Sequence, residues 1–335
     1  MSTRPKCLLL MPERRRAEVF APETLDRLRA LANLTIPEGD TAALAASLPA
    51  LLSGVEVVVT GWGAPALKPE VLASAPDLKL IAHSAGSIRS IVPIEAFERG
   101  IAVCHAADVI AEAVCEATLL LMLTGLRRFH EMDRALKAGA GWREANSLFF
   151  GHQLSGKTVG LVGCGYVARR VIALLKPFQV RVLVYDPYLP DERAAELGVE
   201  RASLDDVLRA DVVSNHAPIT SETRHMLGAR ELALIREGAV FVNTARAWAI
   251  DQEALLRELQ TGRFWAAIDV FEPEPLPEDS PLRGLDNVFL TPHRAGQTAE
   301  TYRKQGAAMV DEVGRFLSGQ PLRYRVRQEQ YATMA

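Results

Sequence analysis

Five ionisable side chains in the second half of this 335-residue chain follow short apolar segments: His216, Arg246, Asp269, Glu274 and His293. Histidine exchanges protons near neutral pH, and a carboxylate bonded to its second ring nitrogen fixes the tautomer and favours the charged ring. An arginine can hold a carboxylate by two hydrogen bonds and polarise a neighbouring carbonyl. Each residue alone is more often solvated surface, but ionisable groups at four segment ends indicate a site for proton transfer to a bound acid.

The apolar segments that must position these groups are predicted to be β-strands separated by helices. They are Thr158–Val162, Val180–Tyr185, Val212–Asn215, Ala239–Asn243, Ala266–Val270 and Val288–Leu290. Strands that alternate with helices predict a parallel sheet covered on both faces. In such a sheet, ligands bind beyond the carboxyl ends of the strands, where the ionisable groups stand, and six strands are typical of a dinucleotide-binding fold.

A glycine-rich turn follows the first of these strands and precedes a predicted helix. Its pattern is G-x-G-x-x-A, formed by Gly163, Gly165 and Ala168. The first glycine permits the tight turn, the second lets a pyrophosphate approach the backbone, and the alanine keeps the helix close to the sheet. Asp186 ends the next strand and could accept the ribose hydroxyls of NAD; the alternative is a turn aspartate before Pro187.

The first hundred residues alternate in the same way and predict a second α/β unit. Its strands are expected at Cys7–Met11, Val55–Thr60, Leu78–Ala82 and Ile101–Cys104, and its helices at Pro22–Leu31 and Thr41–Leu52. An apolar helix over Ile110–Leu126, a looser polar stretch over 130–153, a last helix over Thr298–Leu317 and a polar tail over 322–335 complete the chain. The sequence therefore predicts two units with boundaries near 104 and 297.

Composition excludes several classes of protein. The net charge is -3, with 49% hydrophobic and 24% charged residues, which is typical of a soluble globular protein and favours neither nucleic acid nor a membrane as partner. The four cysteines have no metal-binding spacing, and the apolar run near the start is short for a signal peptide. We therefore expect a cytoplasmic protein without a metal site.

Five motifs in this order resemble the D-isomer-specific 2-hydroxyacid dehydrogenase family: GKTVGLVGCGYVA, HAPITSETRHML, NTARAWAIDQEAL, AAIDVFEPEPLP and LTPHRAG. The resemblance, which includes glyoxylate/hydroxypyruvate reductases, implies an α/β fold in which a Rossmann dinucleotide-binding domain is inserted into a smaller, flavodoxin-like α/β substrate-binding domain. The substrate-binding domain would comprise 1–103 and 298–335, and the NAD-binding domain 104–297.

The resemblance also implies roles for matching residues. Arg246 would bind the substrate, His293 would be the acid/base and Glu274 its partner. The loop Ala85-Gly86-Ser87 would meet the substrate carboxylate through its amides. NAD would be bound by Gly163, Gly165, Tyr166, Val167, Asp186, His216, Pro218, Thr223, Thr244, Ala245, Asp269 and Gly296. A homodimer through the apolar helix Ile110–Leu126 is expected as well.

The chain departs from the family pattern near the substrate. The departures are Ala247 and Trp248 after the arginine, Ile88-Arg89-Ser90 after the substrate loop, Ile110 before the long helix and Arg294 after the histidine. With no cation in Gly61-Trp62-Gly63 and no long extension after the last helix, we expect a small, non-phosphorylated 2-oxo acid as substrate. Arg89 and Arg294 leave a doubly anionic acid open.

Two alternative hypotheses to an active dehydrogenase remain. Transcriptional corepressors of the same fold keep the three site residues, so a non-enzymatic NAD(H) sensor is one alternative. A catalytically dead relative is the other. Formate dehydrogenases carry glutamine where this chain has Glu274, which argues against them.

Overall fold

The computed structural model describes residues 4–331 and contains two compact units. One unit runs to Ile110 and resumes at Gln297, and the other is Ala111–Gly296. The predicted first boundary, after residue 103, falls within a strand of the first unit, because His105 still pairs with His83 of the neighbouring strand. The second boundary differs from the prediction by one residue. Part of the predicted polar tail, residues 332–335, lies outside the described residues.

The first unit is built on a six-stranded sheet. Its strands are β1 (Lys6–Leu10), β2 (Asn33–Thr35), β3 (Val57–Thr60), β4 (Leu80–His83), β5 (Ala102–His105) and β13 (Arg325–Val326). The order is β13-β5-β4-β3-β1-β2, parallel except for β13. The five parallel strands have the 2-1-3-4-5 order of a flavodoxin-like fold, as expected. The sequence did not predict β2 and β13, which are short and mostly exposed.

Helices cover both faces of this sheet. They are α1 (Glu13–Val19), α2 (Pro22–Leu31), α3 (Thr41–Leu51), α4 (Pro69–Ala73), α5 (Glu95–Glu98), α14 (Ala299–Leu317) and α15 (Gln328–Tyr331). Side chains alternate along each strand, so Val58 and Ile81 join one core while Val59 and Ala82 join the other. The α14 helix begins where the Thr298 hydroxyl accepts the amide of Thr301 at 3.1 Å.

The second unit has a seven-stranded, all-parallel sheet. Its strands are β6 (Thr158–Val162), β7 (Arg181–Tyr185), β8 (Glu200–Arg201), β9 (Val212–Asn215), β10 (Val240–Asn243), β11 (Trp265–Ile268) and β12 (Val288–Leu290). The order β12-β11-β10-β9-β6-β7-β8 contains the 3-2-1-4-5-6 arrangement of the Rossmann fold, which confirms the predicted class. The sequence did not predict the edge strand β8, which has only two residues, both exposed, and gave no apolar signal.

The helices of this unit are α7 (Phe129–Lys137), α8 (Trp142–Ser147), α9 (Tyr166–Leu175), α10 (Asp191–Leu197), α11 (Leu204–Leu208), α12 (Ala229–Leu232) and α13 (Gln252–Gln260). The stretch 130–153, predicted to be loose, therefore contains two helices. The α6 helix (Ala107–Arg127) is long and apolar enough to cross a membrane by length and composition alone, and half of its most apolar window is buried in the structure. A core helix has the same properties.

Candidate active site

The glycine-rich turn joins β6 to α9 and forms a cradle for an anion. Gly163 has φ +93°, and a Cβ atom there would lie 2.8 Å from the carbonyl oxygen of His216, so the turn requires glycine. A Cβ on Gly165 would meet nothing within 4 Å, which leaves open space above the turn. The α9 helix begins at Tyr166, and the amides of Tyr166 and Val167 lie in its first turn, where they have no intrahelical acceptor. The residues fit the pyrophosphate of a dinucleotide.

Asp186 stands at the end of β7 and closes the turn from the other side. One carboxylate oxygen accepts the amide of Cys164 at 2.7 Å, and the other accepts the amide of Tyr188 at 2.9 Å. The second contact is the turn geometry considered from the sequence, and the first ties Asp186 to the glycine-rich turn. A carboxylate has about four lone-pair sites, so each oxygen can still accept a ribose hydroxyl.

The segment after β9 forms an ordered loop from His216 to Thr223. The His216 imidazole contacts the Ser214 hydroxyl at 2.9 Å, and loss of hydration lowers its pKa to about 4, so the ring is neutral at physiological pH. The Thr223 hydroxyl donates to the carbonyl of Pro218 at 2.7 Å and accepts the amide of Thr220 at 3.0 Å. These predicted cofactor residues hold the loop; whether they also contact NAD stays a prediction.

A buried pair of asparagines, which the sequence analysis missed, joins this loop to the next one. Asn215 and Asn243 end neighbouring strands in register, and the Asn215 amide donates to the Asn243 carbonyl oxygen at 3.1 Å. That same oxygen accepts the amide of Ala245 at 3.2 Å, while the Asn243 amide donates to the Arg246 carbonyl at 3.3 Å. Asparagine at the ends of two adjacent strands was the available signal.

Arg246 follows β10, and its side chain is held by the backbone of the preceding residue, Ala245. Its Nη1 donates to the carbonyl of Ala245 at 2.7 Å, and within residues 4–331 no other acceptor binds its guanidinium. Burial lowers the pKa of Arg246, and the nearby charge of Glu274 opposes that effect. Two positions before Arg246, the side chain of Thr244 is buried and contacts the Thr118 hydroxyl at 2.8 Å. The guanidinium is therefore partly dehydrated and keeps hydrogen-bond donors available for a carboxylate.

Glu274 and His293 form the predicted dyad. The His293 Nδ1 atom lies 2.9 Å from Oε2 of Glu274, and Oε1 of the same carboxylate accepts the amide of Phe271 at 2.9 Å. The backbone bond fixes the carboxylate, and the carboxylate fixes the ring. With Nδ1 donating to Glu274, Nε2 is the nitrogen that can exchange a proton with a ligand.

Asp269, predicted to bind NAD, is buried and holds the loop that carries His293. One carboxylate oxygen accepts the Thr291 hydroxyl at 2.5 Å and the amide of Arg294 at 2.7 Å. The other oxygen accepts the amide of Ala295 at 2.9 Å. Gly296 follows this loop and ends the second unit. The structure thus gives Asp269 a positioning role, and its contact with NAD stays a prediction.

Trp248, one of the departures from the family pattern, contacts the loop after β9. Its indole nitrogen donates to the Thr220 carbonyl at 2.8 Å, and the Arg224 guanidinium lies 4.6 Å from the ring centre. A bulky residue at this position thus gains a hydrogen-bond acceptor and a cation in the neighbouring loop, and its effect on substrate choice stays a prediction.

The predicted substrate loop lies in the first unit, after β4. Ala85 is buried, whereas Gly86 and Ser87 are partly exposed. The Ala85 carbonyl accepts the amide of Ala106 at 3.0 Å, which fixes the loop to the segment after β5. Among residues 4–331, no group of three His, Cys, Asp or Glu side chains could hold a metal ion.

Comparison with known proteins extends these observations. Residues 119–295 match the family described as D-isomer specific 2-hydroxyacid dehydrogenase, NAD binding domain. A glyoxylate reductase of Korarchaeum cryptofilum is 38% identical, over 72% of this chain and 74% of the relative. A D-3-phosphoglycerate dehydrogenase of Methanocaldococcus jannaschii is 37% identical over 75% of this chain, which spans only 48% of that relative. The crystal structure of a glyoxylate reductase from Paecilomyes thermophila superposes with a TM-score of 0.83 at 26% identity, covering 98% of this chain and 100% of that one.

The Rossmann unit, the glycine-rich cradle and the dyad define the class as NAD-dependent oxidoreductases. The chain belongs to the D-isomer specific 2-hydroxyacid dehydrogenase family. The family expected from the five motifs is thereby confirmed, and so is NAD as the cofactor. The non-enzymatic alternative is not favoured, since the named relatives are reductases and dehydrogenases.

Proposed function

We propose that this protein reduces a small, non-phosphorylated 2-oxo acid, such as glyoxylate, hydroxypyruvate or pyruvate, to the D-2-hydroxy acid with NADH. The observation that carries the proposal is the Glu274 carboxylate, which binds a backbone amide through one oxygen and the His293 ring through the other, both at 2.9 Å. This arrangement orients one ring nitrogen for proton transfer, as reduction of a carbonyl requires.

The proposed reaction consumes one 2-oxo acid, one NADH and one proton. NADH, when bound, supplies the hydride that reduces the 2-oxo carbon and is itself oxidised to NAD. His293, protonated on both ring nitrogens, donates the Nε2 proton to the carbonyl oxygen and returns to the neutral ring. Glu274 stabilises the charged ring before transfer and keeps Nδ1 protonated afterwards.

Arg246 would bind the carboxylate of the acid and polarise its carbonyl. Its guanidinium has donors without a partner among the described residues, and its partly dehydrated setting strengthens electrostatic interactions. The amides of the loop Ala85-Gly86-Ser87 would provide further donors for the same carboxylate. A 2-oxo acid presents its carboxylate and carbonyl side by side, which suits a planar, two-donor group.

A small acid is proposed because a phosphate carries nearly two charges and needs several cationic or amide donors. The segment Gly61-Trp62-Gly63 after β3 supplies no cation, and Trp62 packs against Tyr302 with ring centres 5.1 Å apart. The exposed arginines Arg89 and Arg294 are the side chains that would favour a doubly anionic acid instead. Relatives named for glyoxylate and for 3-phosphoglycerate are similarly close.

A homodimer and a cytoplasmic location also belong to the proposal, with no nucleic acid or membrane as partner. Large apolar side chains in the region 120–150 are exposed, among them Phe129 at 58%, Trp142 at 78% and Phe150 at 92%. Burial against a second copy would stabilise them. The four cysteines are free and buried, which suits a reducing compartment.

The proposal is tested by turnover and stereochemistry. Purified protein is incubated with NADH and each of glyoxylate, hydroxypyruvate and pyruvate, and NADH oxidation is followed by absorbance. We expect turnover of at least one acid and the D enantiomer from hydroxypyruvate by chiral chromatography. Binding of NADH without turnover of any 2-oxo acid would favour a sensor, and an L product would exclude the proposed geometry.

A further inference from the structure

We propose that two buried histidines of the first unit, His83 and His105, are positioning residues that orient the loop Ala85-Gly86-Ser87 for the substrate carboxylate. This inference deepens the proposed function and rests on it. Neither histidine belongs to the acid–base dyad, and both lie at the carboxyl ends of strands next to that loop.

The two rings stand in neighbouring strands together with Thr60. In the sheet register, Thr60 pairs with His83 and His83 pairs with His105. His105 Nδ1 lies 2.8 Å from the carbonyl oxygen of Gly86. A carbonyl can only accept a hydrogen bond, so Nδ1 of His105 carries the proton and donates to the loop.

His83 is held in a similar way. Its Nδ1 lies 2.8 Å from the Thr60 hydroxyl, and its ring also hydrogen bonds to the backbone of Ser87. The contact with Ser87 raises the pKa of the ring, as bonding to a carbonyl oxygen does, but burial dominates and lowers the pKa to about 3. Burial lowers the pKa of His105 as well. Both rings are therefore neutral at physiological pH.

These contacts separate the carbonyl groups of the loop, which have hydrogen-bond partners, from its amide groups, which have none among the described residues. The Ala85 carbonyl accepts the amide of Ala106, the Gly86 carbonyl accepts His105, and His83 binds the backbone of Ser87. Within residues 4–331, no side chain or carbonyl accepts the amides of 85–88. Successive amides without a partner form a concave site for an anion, and the imidazoles keep the carbonyls away from it. Neutral rings do this without placing a second charge in the site.

Substitutions distinguish two roles for these histidines, filling space in the core and orienting the loop. Filling space requires only a side chain of the right shape and volume, whereas orienting the loop requires a donor at Nδ1 of His105 and a hydroxyl at Thr60. The substitution His105→Leu removes the donor, and His105→Gln retains an amide donor. Thr60→Val keeps the volume of a buried side chain and removes the hydroxyl that binds His83.

The test compares steady-state constants of these variants. We expect His105→Leu to raise KM for the 2-oxo acid about tenfold, which corresponds to the loss of one buried hydrogen bond, with kcat and the Kd of NADH within twofold. His105→Gln should recover most of the loss, and Thr60→Val should raise the same KM severalfold. The control is Cys104→Ala, on the same strand but the opposite face, which should change stability without changing KM.

Two results would overturn the inference while the proposed function stands: an unchanged KM in folded His105→Leu and Thr60→Val, or a rise in KM that Gln does not reverse. Nitrogen-15 NMR of the wild-type histidines gives a readout that needs no turnover. We expect His105 as the neutral Nδ1–H tautomer at physiological pH, and the Nε2–H tautomer would contradict the inference. Absence of turnover in the wild type would contradict the proposed function instead.

Discussion

Asp269 holds the backbone of His293: its carbonyl accepts the His293 amide at 2.9 Å, while its carboxylate accepts the amides of the next two residues at 2.7 and 2.9 Å. His293 has φ +52°, a left-handed conformation that costs a non-glycine residue on the order of 1 kcal/mol. The hydrogen bonds to Asp269 compensate for this cost. Asp269 therefore sets where the histidine stands, and Glu274 sets how its ring is turned.

The first prediction follows from this arrangement. Asp269→Asn preserves the shape but loses charge and acceptor capacity, so we expect the free energy of unfolding to fall by about 2 kcal/mol and kcat to fall with it. Chemical denaturation and steady-state kinetics measure both. The matched control is Asp205→Asn, which removes an exposed ion pair with Arg230 in the same unit and should cost less than about 1 kcal/mol. Equal stability of the two variants would contradict the positioning role.

The second prediction concerns Glu274. Glu274→Gln removes the negative charge beside the His293 ring, so the charged ring loses its partner. The pH at which the reduction rate declines should move to lower values, which a pH profile of kcat measures. Glu272→Gln, two residues away and exposed, should leave the profile unchanged. Superimposable profiles for wild type and Glu274→Gln would show that the dyad does not carry the proton.

The third prediction concerns stability in acid. The pKa of His216 is about 4 and that of His83 about 3 in the folded protein, both below the ordinary value of 6.5. The unfolded chain therefore binds more protons below pH 6.5, and stability should fall as the pH drops from 6.5 towards 4, by up to about 1.4 kcal/mol per pH unit for each histidine. Urea unfolding of His216→Gln at pH 6.5, 5.5 and 4.5 should show a shallower decline than wild type. The exposed His152→Gln is the control.

The fourth prediction is a preference for NAD over NADP. The Asp186 carboxylate stands at the carboxyl end of β7 and would repel a 2′-phosphate on the adenosine ribose. We expect Asp186→Ala to reduce the ratio of kcat/KM for NADH to kcat/KM for NADPH by tenfold or more. Asp191→Asn, which disrupts an exposed contact with Arg201, should leave the ratio unchanged. Equal efficiency of the wild type with both cofactors would contradict this role of Asp186.

The sequence predicted the parts of the molecule where one physical signal dominates. Strands such as β3 and β10 are buried on both faces, so their apolar runs located them. In the second unit, the predicted strands placed Arg246 and the dyad beyond the carboxyl ends of the strands in one sheet. The edge strands β2, β8 and β13 are short and polar and gave no such signal. The contacts of Asp269 and Trp248 depend on loops brought together by folding, which spacing alone does not reveal.

The most direct test of the central claim is the rate of NADH oxidation by His293 variants with the best 2-oxo acid. His293→Ala removes the ring, and His293→Asn removes it while tolerating the left-handed backbone. We predict that both variants bind NADH as the wild type does, by fluorescence, and lose at least about a hundredfold in kcat. A variant that keeps the wild-type kcat would contradict the account.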